Sequence, residues 1–274
     1  MDGGVGQQGK TKLEGYKIFE KYRENTNGGG LMTAVHENLK PIAISDENSE
    51  FLVVDIWGKF GSIRTVNCYG PQENMPLQVR CEFFIELESR IISAKSEKKM
   101  ICIEGDANSK LGKSWIKGDP HEISANGKML ADLITRQNLV VVNATEKCYG
   151  VLTRYKNTIN GAEKSVLDYY IVCQELFQNI IKMTVDEERQ FTLSRFYKYK
   201  NRMTEIKSDH NIILLNLSLK WCKKQKLDRK EIYNLRNTEC QKVFQENTSN
   251  NMNFIEALIG RDIEVGGQKW LKRN

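Results

Sequence analysis

The sequence predicts a mixed α/β domain on three observations: strand-length apolar runs recur through the first two thirds of the chain, amphipathic helix patterns interrupt them, and glycine-marked turns connect some of them. The glycines at 28–30 mark a turn before the strand-like LMTAVHE (31–37). FLVVDIW (51–57) and SIRTVNCY (62–69) read as strands, and the tight connection from Gly58 to Gly61 makes them a hairpin. Leu77, Cys81, Phe84, Leu87 and Ile91 then recur at spacings of three and four, which predicts a helix over 77–93. KMICIE (99–104) is the next strand, and Met129, Leu130, Leu133 and Ile134 define one side of a second helix at about 127–138. LVVVNA (139–144), VLDYYIV (166–172) and NIILLNLSL (211–219) complete the strands, while 181–207 shows no sustained period and reads as a long surface loop. After Trp221 the chain turns polar and charged, with a thin apolar stripe at Leu227, Ile232, Leu235 and Phe244. The reading is one domain over 1–220 and an exposed, charged helical extension over 221–274.

With 274 residues and 40% apolar content, the chain can bury a sizeable core. No stretch approaches the ~18 to 20 apolar residues of a membrane span, and the first residues carry no apolar signal-peptide centre. The expected location is therefore intracellular, nuclear or cytoplasmic, with no membrane partner. Cys68, Cys81, Cys102, Cys148, Cys173, Cys222 and Cys240 lie far apart and mostly inside apolar runs, so they read as reduced thiols without a zinc spacing or a disulfide framework. The net charge of +6 permits a nucleic-acid partner without requiring one. Basic residues concentrate in 189–207 and 220–230.

Hydrolysis of a phosphate ester needs a group that takes a proton from water, a group that neutralises the phosphoryl oxygens, and support for the leaving oxygen. Three short motifs carry such groups. Glu104-Gly105-Asp106-Ala107-Asn108 follows the KMICI run, and its glycine permits a sharp exit that holds Asp106 and Asn108 just beyond the strand. Alone this is an ordinary Asp/Asn turn. It is not a calcium loop, since Leu111 and Lys117 stand where Gly and Glu belong, and Leu111-Gly112-Lys113-Ser114 lacks the earlier glycine of a P-loop. Ser165-Val166-Leu167-Asp168-Tyr169-Tyr170 sets a carboxylate among apolar neighbours, where it needs a partner. Ser208-Asp209-His210 holds one of only three histidines, and a buried Asp would fix its tautomer and favour the cation.

With Asn67-Cys68-Tyr69-Gly70-Pro71 upstream, and Thr153-Arg154 after Tyr149, these motifs in this order resemble the endonuclease/exonuclease/phosphatase superfamily. More narrowly, the chain resembles the apurinic-type endonuclease domains of non-LTR retrotransposons over roughly residues 13–220. Leu13-Glu14-Gly15-Tyr16-Lys17-Ile18-Phe19 and the segment LMTAVHENL are similar to the early hairpin of those domains, and Tyr233-Asn234-Leu235-Arg236 is similar to the linker before their reverse transcriptase.

The resemblance implies a four-layered α/β sandwich of the DNase I-like kind, two packed mixed sheets flanked by helices, acting on DNA with Mg2+. It implies Asp106 as the water-activating base, Asn108 as its positioner, and His210 as the phosphate-stabilising group oriented by Asp168. Tyr69 would support the phosphate or leaving group, Asp209 would join the magnesium shell, and Thr153 and Arg154 would lie on a loop that touches nucleic acid. Family members begin with two further strands, the second carrying a principal metal-binding Glu, and neither precedes Leu13. The expectation is therefore an amino-terminally incomplete domain with weak or absent Mg2+ and impaired phosphodiester hydrolysis. The competing readings are a non-catalytic nucleic-acid- or protein-binding fragment of the same fold, and a phosphatase acting on small lipid or inositol phosphates.

Overall fold

The computed structural model describes residues 13–22, 30–58, 61–158, 161–190, 194–199 and 202–219. Strands β1 (Tyr16–Tyr22) and β2 (Gly30–His36) form an antiparallel pair; β3 (Ile42–Ala43), β4 (Phe51–Gly58) and β5 (Gly61–Tyr69) follow as neighbours in a second sheet. The helix α1 (Leu77–Ser96) leads to β6 (Met100–Asp106), and α2 (Ala125–Arg136) to β7 (Leu139–Val141) and the short β8 (Cys148–Tyr149). A hairpin, β9 (Arg154–Thr158) and β10 (Gly161–Ser165), precedes β11 (Asp168–Cys173), the one-turn α3 (Gln174–Gln178) and β12 (Ile180–Val185). A second hairpin, β13 (Ser194–Tyr199) and β14 (Arg202–Lys207), precedes β15 (Ile213–Leu217).

The central sheet has the order β3-β4-β5-β6-β11-β7, with β5 and β6 parallel and the other pairs antiparallel. One face of it carries α1 and α2. Phe83, Phe84, Leu87 and Ile91 of α1 and Leu130, Leu133 and Ile134 of α2 are buried there against Phe51, Val53, Val66, Ile101 and Ile103. Burying each such side chain contributes about 1.5–3 kcal/mol, so this layer is the main source of stability. The other face is covered by pieces. Met183 and Val185 of β12 pack on Cys102 and Val172, while Leu31 and Val35 of β2 pack on Leu52 and Val54. The three-stranded sheet β15-β12-β8 is also mixed, since β12 and β8 run parallel. The predicted α/β class of packed mixed sheets with flanking helices is therefore the observed one, with the second β layer built from separate pieces.

Three details depart from the sequence reading. The run 139–144 leaves the sheet after Val141 and closes as a 3-10 turn over Val142–Ala144, because the Asn143 side chain donates to the Asp168 carbonyl at 3.1 Å and accepts from the Tyr170 N–H at 3.0 Å. The presumed loop 181–207 contains most of β12 and the whole β13–β14 hairpin. A register shift between Ile180 and Lys182 breaks the alternation that would have betrayed β12. The hairpin β9–β10 was not foreseen either: its second strand is exposed at Gly161–Lys164 and has no apolar period.

The chain divides into two units, 1–222 and 223–274, and the second lies outside the described residues, as does the helical extension expected over 221–274. No described helix is long and apolar enough to cross a membrane.

Candidate active site

Register across the central sheet brings three of the foreseen residues into one row. Tyr69 at the end of β5 and Asp168 at the start of β11 are both the partners of Asp106 at the end of β6. The strands stop there for a backbone reason. Gly105 adopts φ +123°, and a Cβ on it would lie 2.1 Å from the Cys68 carbonyl oxygen, so only glycine permits the exit that presents Asp106. Gly70 is equally tight: a Cβ on it would meet the Ala107 carbonyl oxygen at 2.2 Å, and its N–H donates to the Asp106 carbonyl at 2.7 Å. The two loops that follow β5 and β6 are thus pressed together.

Asn108 sits in the left-handed region at φ 45°, which Asn tolerates better than most side chains. Its N–H donates to Asp106 Oδ1 at 2.9 Å and its Nδ2 to the Gly70 carbonyl at 2.8 Å. His210 reaches the row from the loop before β15: its Nδ1 lies 2.8 and 3.0 Å from the Asp168 carboxylate oxygens, and its Nε2 lies 3.9 Å from Asp106 Oδ2. Asp168 is therefore the partner of the half-buried imidazole, and Nε2 is the nitrogen left facing the pocket.

The charges follow from this layout. Burial, then the negative charge of Asp168, pushes the Asp106 carboxyl up to about 6, against the smaller opposing effects of the Asn108 N–H, His210 and Arg154. Burial would by itself lower His210, but its hydrogen bond to Asp168 and the charges of Asp168, Asp106 and Asp209 outweigh it and hold the imidazole above its ordinary value. Burial likewise works against Asp209, yet the bond from Arg154 Nε, at 2.9 Å, keeps its carboxyl below the usual range.

Tyr69, Asp106, Asn108, Arg154, Asp209 and His210 line one open cavity of about 440 Å³, together with Gln72, Lys156, Glu163 and Leu167, which the motifs did not single out. Lys156 and Glu163 belong to the β9–β10 hairpin, whose one sequence signal is the Asn160-Gly161 pair. Asp168 stands behind His210. Thr153, expected to touch nucleic acid, is instead fully enclosed at 0% exposure; its hydroxyl accepts from the Leu167 and Asp168 N–H groups at 2.9 and 3.1 Å, and its carbonyl accepts from the Asn211 N–H at 2.7 Å. It braces the start of β11 and the loop before β15, which carry Asp168 and His210. Arg154 remains at the cavity wall, tied to Asp209.

Among the described residues, one group has metal-ligand atoms mutually within 4.8 Å, namely Asp106, Asp168 and His210. Both Asp168 oxygens lie within hydrogen-bonding distance of the one His210 Nδ1, at 2.8 and 3.0 Å. Asp106 Oδ2 and Asp209 Oδ1 each lie 3.9 Å from His210 Nε2, and Asp106, Asp209 and Glu163 line the cavity. Hard oxygen donors in a cavity with room for water fit a hydrated divalent cation such as Mg2+, which uses one or two carboxylates and keeps several waters.

By sequence, no family profile and no curated protein matches the chain. By structure it is similar to the endonuclease domain of TRAS1, a telomere-specific non-LTR retrotransposon, with a TM-score of 0.51 and 18% identity, over 75% of this chain and 81% of that one. It is also similar to the 3'-5' exonuclease NExo from Neisseria meningitidis, with a TM-score of 0.54 and 13% identity over 74% and 80% of the two chains. A second NExo structure, described as a 3' phosphatase bound to a product DNA hairpin, gives a TM-score of 0.52 at 14% identity, over 74% of this chain and 80% of that one. The chain has the DNase I-like fold of these structures.

Proposed function

We propose that the chain hydrolyses phosphodiester bonds of DNA with the help of a divalent cation, as an endonuclease domain of non-LTR retrotransposon type. The observation that carries the reading is the Asp168–His210 pair held 3.9 Å from Asp106 at one strand-end cavity, in a fold whose solved relatives include nucleases. A phosphodiester entering the cavity meets the His210 Nε2–H, which donates to a non-bridging oxygen while Asp168 fixes the tautomer and the positive charge. Asp106 takes the proton of the attacking water, and Asn108, clamped to both Asp106 and Gly70, orients that water. Tyr69 supports the leaving oxygen. Arg154 and Lys156 on the cavity wall offset the phosphate charge, and Thr153 acts only through Asp168 and the His210 loop. Asp106 and Asp209, with the Asn108 amide oxygen, would hold Mg2+, which when bound neutralises phosphoryl oxygens. Mg2+ binds weakly in this reading, and the reaction is slow. The charged stretch 221–274 is read as the connection to a reverse transcriptase.

The test is nicking of supercoiled plasmid at millimolar Mg2+ or Mn2+. Slow nicking by the chain, abolished by EDTA and by Asp106→Ala or His210→Ala, is the expected result. Nicking that survives Asp106→Ala, or DNA binding without any cleavage at any cation concentration, overturns the catalytic reading.

A further inference from the structure

The loops after β5 and β6, which press together at Gly70 and Ala107, are both gripped by one side chain that does not line the cavity. Asn126, the second residue of α2, is 0% exposed. Its Nδ2 donates to the Pro71 carbonyl at 2.8 Å and to the Asn108 carbonyl at 3.2 Å, so both amide hydrogens are used, one on each loop. Its Oδ1 accepts from Arg80 Nη1 of α1 at 3.2 Å, and its N–H donates to Glu73 Oε1 at 3.1 Å.

The start of α2 is seated for this grip. Ser124 caps the helix: its hydroxyl accepts from the Gly127 and Lys110 N–H groups, each at 3.1 Å, and its own N–H donates to the Lys110 carbonyl at 2.9 Å. A Cβ on Gly127 would lie 1.9 Å from that carbonyl oxygen, so only glycine lets the first turn lie against the chain that follows Asn108.

Three cavity residues depend on these bonds. Asn108 has the unfavourable φ of 45° and needs its surroundings to hold it there; Asn126 binds its carbonyl, while the Asn108 amide itself binds the Gly70 carbonyl. Gln72 lies between Pro71 and Glu73, the two residues of that loop that Asn126 binds. Tyr69 stands two residues before Pro71. The spacing between the two loops is thus set by one buried carboxamide.

We infer that Asn126 is a positioning residue for the proposed hydrolysis, fixing Asn108 and the 69–73 loop at the separation the reaction needs without itself touching substrate. This rests on the phosphodiesterase reading and extends it to a residue of α2. The chemistry of the side chain decides the role: Asp has the same shape and keeps the acceptor for Arg80, but turns an oxygen toward two carbonyl oxygens and holds neither loop.

The test uses the full chain and plasmid nicking at saturating Mg2+, normalised to folded protein. Asn126→Asp should lower kcat and kcat/KM together by roughly ten- to a hundred-fold, the cost of misplaced groups. Glu73→Ala, at an exposed side chain whose loss leaves the fold intact, should act in the same direction by a smaller factor. Ile134→Val, on the buried face of the same helix, should lower the melting temperature and leave kcat unchanged. Amide exchange by NMR in EDTA reads the clamp without any activity: the Asn108 N–H, which donates to Asp106 Oδ1, should lose protection relative to the β6 amides in Asn126→Asp and Glu73→Ala, and keep it in Ile134→Val. A parental kcat in Asn126→Asp, a rise in KM alone, or an equal kcat loss in Ile134→Val shows a merely structural contact and overturns the inference. If Asn126→Asp does not fold, Glu73→Ala decides, and unchanged kcat with unchanged Asn108 exchange overturns the inference there. If the parent does not nick at all, the hydrolytic reading falls, and the clamp stands or falls on Asn108 exchange. If the parent nicks and Asn126→Asp matches it, only the positioning role falls.

Discussion

Replacing Asp106 by Asn exchanges a carboxylate for an amide of the same shape at a position that the fold makes unfavourable for negative charge. The carboxyl is 11% exposed and stands opposite Asp168 across the ladder, which raises it from 3.8 to about 6. A carboxyl whose folded value is raised binds its proton more tightly in the native state. Its contribution is fully present below 3.8 and is lost as the pH rises through about 6, so at pH 8 the charged form costs about 3 kcal/mol. The amide oxygen still accepts the Asn108 N–H that Asp106 Oδ1 receives at 2.9 Å, and the lost attraction to His210 is already part of the net shift. Asp106→Asn is therefore expected to stabilise the cation-free protein by about 2–3 kcal/mol at pH 8 and by little near pH 4. Urea denaturation of both proteins in EDTA at the two pH values measures this. A variant no more stable than the parent at pH 8, or one with the same gain at both pH values, refutes the reasoning.

Thr153→Val removes the acceptor of two buried N–H groups; we expect about 2–4 kcal/mol of lost stability and a drop in nicking, both recovered by Thr153→Ser, read by denaturation and plasmid assay. Asp55→Ala leaves Arg64, 3% exposed and bonded to it at 2.8 and 3.0 Å, without its main partner. Glu97 still holds Arg64, so the expected cost is roughly 3 kcal/mol, at the low end for a broken buried pair, with unchanged activity per folded molecule. His210 is held above its ordinary value, so its cation is present at low pH and lost as the pH rises through that raised value. Oligonucleotide affinity in EDTA should fall more steeply over that rise in the parent than in His210→Ala, where Asp106 still titrates; parallel curves would show that His210 contributes nothing.

How much of this was legible in the sequence depended on how far each element's cause lies from its own residues. β4, β5, β6, α1 and α2 bury long apolar runs or stripes against one another, so the local pattern carried them. β10 lies at Gly161–Ser165 with four exposed residues, and its pairing with β9 is a matter of backbone and turn, to which hydrophobic period is blind. At 142–144 an apolar run that reads as strand is bent away by one buried amide whose partners lie 25 and 27 residues on.

The same distinction governs the site. Asp106, Asn108, Asp168 and His210 stand beside strands in compact motifs, so their meeting could be expected; Thr153 acts through N–H groups 14 and 15 residues away, and nothing in its own neighbourhood announces a brace. More telling is that Asp106 and Asp168 look alike in the sequence, each a carboxylate at the end of an apolar run, yet the fold gives them opposite work. The Asp168 carboxylate accepts from His210 Nδ1 while its own N–H donates to the Thr153 hydroxyl, so its charge is spent on an imidazolium. Asp106 receives the Asn108 N–H, faces Asp168, and is left with a carboxyl that takes up a proton near neutral pH. On the proposed reading, an orienter and a base thus arise from one residue type because the three-dimensional neighbours differ. On this reading, moving the imidazole's partner decides the chemistry: Asp168→Asn should cost activity through His210 while lowering the Asp106 value, since the like charge opposite it is gone. Titration of Asp106 by NMR in that variant is the measurement, and a value unmoved from about 6 would show that burial alone, without the pair, sets it.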